Sequence, residues 1–499
     1  MNNNTRFLFA SVPRLALLFV SSYMIIAAAQ IPGAQHPMRH GTGFIEKKPN
    51  GLTVLHLKGT AYERGYQRGF LLGDQLDTMI KHDLTQVAIL SGRGDLVKGL
   101  ATIRELAEIN KPFIPNNIRQ EIKGIANGLA ARGSNLTYDD ILLHAISDDI
   151  SMMDLSKPLD TNATMTGFPM TRCSSFSAFG TATKDGQLIF GANEDYYDTE
   201  DVLRSRMAIV VDPTDGGYGY TGGIWNLWYG AGGMNEAGIA IKAHLSFSQA
   251  ETLRGVVTDM LLSIVLQYAD SIEDAVDILA SHPRTCGLIV HVADGKTNRA
   301  AVIEYTAHDI AVRFPEHGKD ILWSTNHFNC YPGWQGYTGV NMAAYNANRV
   351  ISGGKGKMED ISTVEKWQDS LEKRGIGRNG RYGRYQQLLN QNYGKMTIEE
   401  AKKLLRDRYD IKTGKVISLN NPVGELICAY DADRIMSKNA IPYKSIRSGE
   451  YTVKSGTVFS FVSTPGNGSI WLAVGNVPPV NYTAGYKYMN LREELKHNR

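Results

Sequence analysis

Between residues 60 and 133 apolar side chains return every three or four positions, as in "AYERGYQRGFLLGDQLDTMIKHDL" and "NIRQEIKGIANGLAARG". That spacing predicts helices, each with one apolar stripe, and Gly133 stands where a C-terminal stop belongs. From Cys173 to about Ile241 the period shortens. Alternating or β-branched runs are separated by "KDGQ", "DPTDGGYG", "GAGG" and "NEAG", which are turn compositions, so this part reads as sheet. Two later helices start at capping boxes, Ser271 with Asp274 and Thr397 with Glu400. Between them "CGLIVHVADGKTNRAAVIEYTAHDIAVRF" reads as consecutive strands. The order helices, sheet, helices, sheet predicts two sheets covered by helices on their outer faces. "SGGKGKMED" near Gly353 and "EKRGIGRNGRYGR" are expected to be surface loops.

At 499 residues the chain exceeds the roughly 250–300 at which single cores stop growing, so two domains or one large layered domain is expected. Lys+Arg 53 against Asp+Glu 50, with no basic stripe interleaved with aromatics, argues against nucleic acid as a partner. Near the N-terminus, Arg6 and Arg14 precede an apolar run from Leu15 to Ala29 that ends in small residues. It is short for a membrane span of about 20 residues and fits a secretory signal over residues 1–29, cleaved near Ala29. An uncleaved signal anchor is the alternative, since Phe7–Ala10 would lengthen the segment. A secreted, periplasmic or lysosomal-type location follows, with no stable membrane span after signal removal. The sequons at Asn135, Asn162, Asn467 and Asn481 fit such export.

The four cysteines, Cys173, Cys286, Cys330 and Cys428, lack CxxC or CxxH spacing, so no zinc site is indicated. At most one disulfide is available to the last three. Cys173 opens "CSSFSAFGTATKDGQLIFGANEDYYD". Its bland reading is a hairpin with an incidental buried cysteine. If Lys184-Asp185-Gly186 is a three-residue loop, Ser175 faces Asp195 and Cys173 faces Tyr197. Cys173, Ser175, Ser177, Asn193 and Asp195 then share one face, opposite Phe176, Ala178, Leu188 and Phe190. A two-residue loop would flip this parity. A thiol with an ordinary pKa near 8.5 needs a base, and no histidine lies nearby in sequence. Its own α-amino group, with a pKa of about 7.7–8.0, would serve if the chain were cut just before Cys173.

"GTAYERGYQRG", "RCSSFSAFGTATKDGQLIFGANEDYY", "GGMNEAGIAI", "STNHF" and "GRYGRYQQLL", in that order, resemble the autoproteolytic acyltransferases and hydrolases related to penicillin acyltransferase. The resemblance runs from about Gly59 to Leu389. More distantly it extends to choloylglycine hydrolases and acid ceramidase, all N-terminal nucleophile hydrolases. It implies an α+β fold, a four-layer αββα sandwich of two mainly antiparallel sheets. It also implies a mainly helical segment 30–172 released by self-cleavage of Arg172-Cys173 from a catalytic segment 173–499, the two staying associated as one globular unit, 30–499.

By the same resemblance Cys173 is the nucleophile, Asp195 orients its thiol and amine, Asn326 donates to the oxyanion, and Arg381 is an active-site arginine. Asn193 and Ser175 support the site, and Asn235 supports a turn. Relatives often have glycine where this chain has Arg172, and bile-salt hydrolases have arginine where it has Ala192, which argues against bile-salt specificity. The expected partner is a small-molecule N-acyl substrate, resolved by water or by an amine or thiol acceptor, with no metal or organic cofactor required. Arg381 sits among Arg374, Arg378 and Arg384, where a charged loop is usually only solvated. Two other readings stand beside this one. One is a papain-like thiol peptidase using His327 or His244 as base; the other is an exported binding protein that keeps the fold without catalysis.

Overall fold

Strands whose two faces are both apolar must be covered on both sides, and the strand Ala208–Pro213 is such a case. Its Ile209 and Val211 pack with helices, while Ala208 and Val210 pack against a second sheet. The computed structural model describes residues 38–92, 95–152, 173–199, 206–223, 232–246, 252–329, 380–419, 421, 426–435 and 452–497. Residues 1–29, Arg172, Asn162, the stretch near Gly353, Cys330, Arg374 and Arg378 lie outside them.

A ten-stranded sheet runs in spatial order Met38–His40, Gly43–Lys47, Thr53–Gly59, Ala208–Pro213, Tyr220–Gly223, Gly232–Asn235, Ile239–Leu245, Leu288–Asp294, Arg299–Tyr305, Ile310–Arg313. Its pairs are antiparallel except Thr53–Gly59 with Ala208–Pro213. A seven-stranded sheet holds Ile321–Ser324, Ser174–Ala178, Ile189–Thr199, Thr452–Thr464, Ser469–Val474 and Lys487–Asn490 in order, with Tyr430–Ile435 also paired to Thr452–Thr464. One hydrophobic cluster joins the helices Ala61–Ser91, Leu96–Asn110, Asn116–Ala130, Tyr138–Met152, Thr258–Tyr268 and Ile272–Ser281 to the outer face of the large sheet. A second fills the space between the sheets, with Val54, Val210 and Met234 against Phe190, Phe461 and Leu472. A third seats the helices Arg381–Gln391 and Ile398–Leu405 on the outer face of the small sheet, through Tyr385, Leu389 and Leu405 against Phe176 and Val462. These layers form the αββα sandwich expected.

The expected caps are present: Ser271 Oγ accepts from Asp274 N at 3.1 Å and Thr397 Oγ1 from Glu400 N at 3.3 Å. Gly133 has φ +88° just beyond the helix ending at Ala130. The front of the chain also supplies three strands of the large sheet, which its helical periodicity does not announce. "GRYGR" is not a loop, because Arg381 opens the helix Arg381–Gln391 and is buried. Asn481 is fully buried and donates to Leu405 O at 2.9 Å, so its sequon is closed in the fold. Cys286 and Cys428 are both buried. Among the described residues no helix is long and apolar enough to cross a membrane.

"YERGYQRG" and "IKGIANG" owe their glycines to a close crossing of two helices. A Cβ on Gly65 would fall 2.1 Å from Glu121 O, on Gly69 2.3 Å from Ile125 O, and on Gly124 2.1 Å from Tyr62 O. Gly69→Ala gains about 1 kcal/mol of helix propensity, but the backbones must move apart. We expect a net loss of about 1–3 kcal/mol, read as a lower melting temperature.

Residues before and after 172 share the same core and are tied by polar contacts. Arg64 Nη1 meets Asp215 Oδ1 at 2.7 Å, and Asn110 Nδ2 donates to Gly255 O at 2.7 Å. Asp149 accepts from Thr258 Oγ1 at 2.6 Å, from Thr258 N at 3.1 Å, and from Thr285 Oγ1. Burial raises the Asp149 carboxyl, and burial together with Asp149 pushes Asp259 up to about 7. A carboxyl raised on folding stabilises fully below its ordinary value near 3.8, and that contribution is lost as pH rises to about 7. Melting temperature should therefore fall across this window, and Asp259→Asn should flatten the fall; an unchanged slope in the variant would assign the dependence elsewhere.

Candidate active site

The strand that follows Cys173 is polar yet lies inside the sandwich, so each hydroxyl on it needs a partner. Ser174 faces Asn193, Ser175 faces Ala192, Phe176 faces Gly191 and Ser177 faces Phe190. This corrects the expected Ser175–Asp195 register. The chain between Ala178 and Ile189 is not a tight three-residue loop. It holds a 3-10 turn at Gly180–Ala182, a bridge from Thr183 to Met396, and Gly186 at φ +76°. The shift is odd, so the parity flips. Ser175, Ser177, Phe190 and Ala192 point between the sheets, whereas Ser174, Asn193 and Asp195 alternate onto the helix-covered face.

Cys173 is buried, with Sγ 4.0 Å from the backbone oxygen of Asp195. Burial, opposed by the Lys242 charge, pushes its thiol well above the ordinary range. Arg381 Nη1 donates to the Cys173 carbonyl at 3.0 Å, and its Nη2 donates to Asn326 Oδ1 at 3.1 Å. Asn326 Nδ2 in turn donates to Leu245 O at 2.9 Å. The neighbouring Arg384 turns away and pairs with both oxygens of Asp407 at 2.8 Å. Cys173, Arg381 and Asn326 are thus one connected group drawn from three distant stretches. The helix Arg381–Gln391 also supplies Tyr385, whose hydroxyl donates to Ser174 Oγ at 2.9 Å.

Asp195 lies opposite Thr457, whose Oγ1 donates to its Oδ1 at 2.7 Å, beside a bulge between Thr457 and Phe459. Such a bulge re-aims the residues next to it. Asn193 donates to Leu405 O at 2.9 Å and Ile427 O at 2.8 Å, which ties the strand to the outer helices. Asn235 accepts from Ile239 N at 2.9 Å across a turn and donates to Ala269 O at 2.7 Å.

Ser175 Oγ is within hydrogen-bond range of His244 Nε2 at 2.7 Å, His291 Nδ1 at 2.8 Å and Ser324 Oγ at 3.0 Å. Ser177 Oγ reaches His291 Nε2 at 3.0 Å. Burial lowers both histidines well below their ordinary range. His327 is buried, its Nδ1 lies 2.9 Å from Thr325 Oγ1, and burial pushes it down to about 3. The histidines of the papain-like reading therefore serve hydroxyls rather than Cys173. The sequence reading missed Lys242, whose ammonium pairs with Glu194. A lysine inside the apolar run "GIAIKAHL" was the available signal.

Residues 181–421 match the model of the family described as acyl-coenzyme A:6-aminopenicillanic acid acyl-transferase. The match begins just after Cys173 and includes Asp195, Asn326 and Arg381. An uncharacterized protein of Archaeoglobus fulgidus is 29% identical over 285 residues, 55% of this chain and 47% of its own length. Protein dcd1B of Dictyostelium discoideum is 25% identical over 301 residues, 56% of this chain and 58% of its own. The chain thus spans about half the length of these curated relatives. A solved Caenorhabditis elegans ortholog of N-acylethanolamine-hydrolyzing acid amidase aligns at 15% identity and TM-score 0.32, covering 64% of this chain and 100% of that one. Penicillin V acylase from Agrobacterium tumefaciens aligns at 12% and TM-score 0.34, covering 64% and 87%. Over residues 181–421, a little under half of its length, the chain is therefore similar to the acyl-coenzyme A:6-aminopenicillanic acid acyl-transferase family.

Proposed function

We propose that this protein is an exported, self-processing cysteine amidohydrolase or acyltransferase whose nucleophile is Cys173. The family match over residues 181–421 and the layered fold support an enzyme of the N-terminal nucleophile acyltransferase and amidohydrolase class. The observation that carries the cysteine reading is the chain of contacts from the Cys173 carbonyl through Arg381 to Asn326. A merely structural cysteine has no need of a buried arginine that spans it and a distant asparagine.

In the uncut chain the thiol is buried and held protonated. Cutting Arg172-Cys173 would create an amine of ordinary pKa about 7.7–8.0 on the same residue. That amine takes the thiol proton, with the Asp195 carboxylate holding the resulting charge. Sulfur attacks the carbonyl of a small N-acyl substrate, and Asn326 Nδ2 donates to the oxyanion. Water then gives hydrolysis; an amine or thiol acceptor gives transfer.

Purified protein should carry a Cys173 N-terminus, and the two pieces should part only on denaturation, because they share one core and the polar ties described above. Cys173→Ala should stay a single chain by intact mass and should turn over no amide substrate. An active preparation without a Cys173 terminus would overturn the mechanism. Arg381→Lys keeps the charge but cannot span both acceptors. We expect turnover to fall by about 10²-fold or more with the melting temperature little changed, and equal rates would remove Arg381 from the site.

A further inference from the structure

Before the chain is cut, the amine of Cys173 is tied up in a peptide bond and cannot act as the base. Something else must take the thiol proton for the first step. The register Ser174–Asn193, carried one residue further, puts Cys173 opposite Glu194, and side chains directly opposite in an antiparallel pair lie about 4.5–5.5 Å apart at Cβ. Glu194 also faces Phe459 of the inter-sheet core, so it points between the sheets. From the opposite sheet Lys242 reaches across: Ala240 of its strand packs in the same inter-sheet core, and alternation puts Lys242 on that face. Its ammonium, fully buried, pairs with Glu194 Oε2 and donates to Ala243 O at 2.6 Å. Gly232 lies opposite Lys242, and a Cβ there would sit 3.1 Å from the lysine Cδ, so the stem passes where a side chain is missing.

We infer that Glu194, paired with the buried ammonium of Lys242, is the proton acceptor for the Cys173 thiol in the self-cleavage step. The inference rests on the self-processing reading above. The thiol proton passes to the Glu194 carboxylate as sulfur attacks the carbonyl carbon of Arg172. The bond from that carbon to the Cys173 nitrogen breaks, and the departing amine takes the proton back from Glu194. Water hydrolyses the resulting thioester, leaving an Arg172 carboxylate and a free Cys173 thiol, with Glu194 unchanged. A carboxylate is a weak base for a thiol, but the step runs once per molecule. Lys242 is the positioning residue: its ammonium, fixed on Ala243 O, holds the Glu194 carboxylate in place and keeps that buried group paired. The pair also explains why neither residue has an obvious duty in later turnovers, when the freed amine serves. Other charged or titratable groups around the site are Asp195, His244, His291, Asp259 and Arg381, each held by the contacts or neighbours described above.

Full-length chains of wild type, Glu194→Gln, Lys242→Met, Lys242→Arg and the double variant Lys242→Met/Glu194→Gln are followed by intact mass after synthesis, across pH, with thermal melts as a folding control. The double variant removes both charges together, so it folds even if a lone buried charge does not. Self-cleavage should slow by about 10²-fold or more in Glu194→Gln, Lys242→Met and the double variant, with Lys242→Arg nearer to wild type. The acid limb of the wild-type cleavage rate should vanish in Glu194→Gln, a change that a purely structural role would not produce. Turnover per molecule that has matured should fall less than the cleavage rate. If wild type cuts and the folded variants cut at its rate with the same pH profile, the inference is overturned alone. A wild-type chain that stays whole overturns both it and the self-processing reading.

Discussion

A polar strand buried on both faces is the constraint from which the rest of this structure follows. Ser174–Ala178 runs between the helix-covered face and the inter-sheet layer, and each of its residues is buried. Every hydroxyl on it must therefore find a partner, since an unsatisfied buried polar group costs about 1–3 kcal/mol. Ser174 is met by Tyr385, Ser175 by His244, His291 and Ser324, and Ser177 by His291. The two sheets and an outer helix are thus locked around the residue just ahead of that strand.

The same constraint explains the electrostatics. Burial lowers His244 and His291 and raises the Cys173 thiol, so the neutral forms dominate around Cys173. The exceptions are charges with fixed partners. Arg381 is anchored by two oxygens, and Lys242 by a carboxylate and a carbonyl. In a buried layer such pairs are worth keeping only with good geometry. The segment before residue 172 adds strands to one sheet and buries Asp149 against Thr258 and Thr285, so it belongs to the core around the site.

Much was legible in the chain. Helical and strand periods, the capping boxes at Ser271 and Thr397 and the turn glycine Gly133 are local properties, and local geometry honours them. The motif order also marked Cys173, Asn326 and Arg381, which the fold brings into contact. Strands in the front segment were missed because they are short and precede a long helical pattern. Arg381 looked like part of a solvated loop because nothing in "GRNGRYGR" records that its helix packs against the strand that follows Cys173.

The sequence by itself determined which residues are candidates for the chemistry and which elements hold them, because residue type and period are written along one dimension. Tertiary structure alone decided which face each side chain takes. Strand alternation has a period of two, so the longer connection between Ala178 and Ile189 moved Asn193 and Asp195 to the far face and turned Glu194 towards the other sheet. The pairing of Glu194 with Lys242 depends in addition on two strands from different sheets meeting across the core. No local pattern encodes that meeting, since it is fixed by how the layers stack.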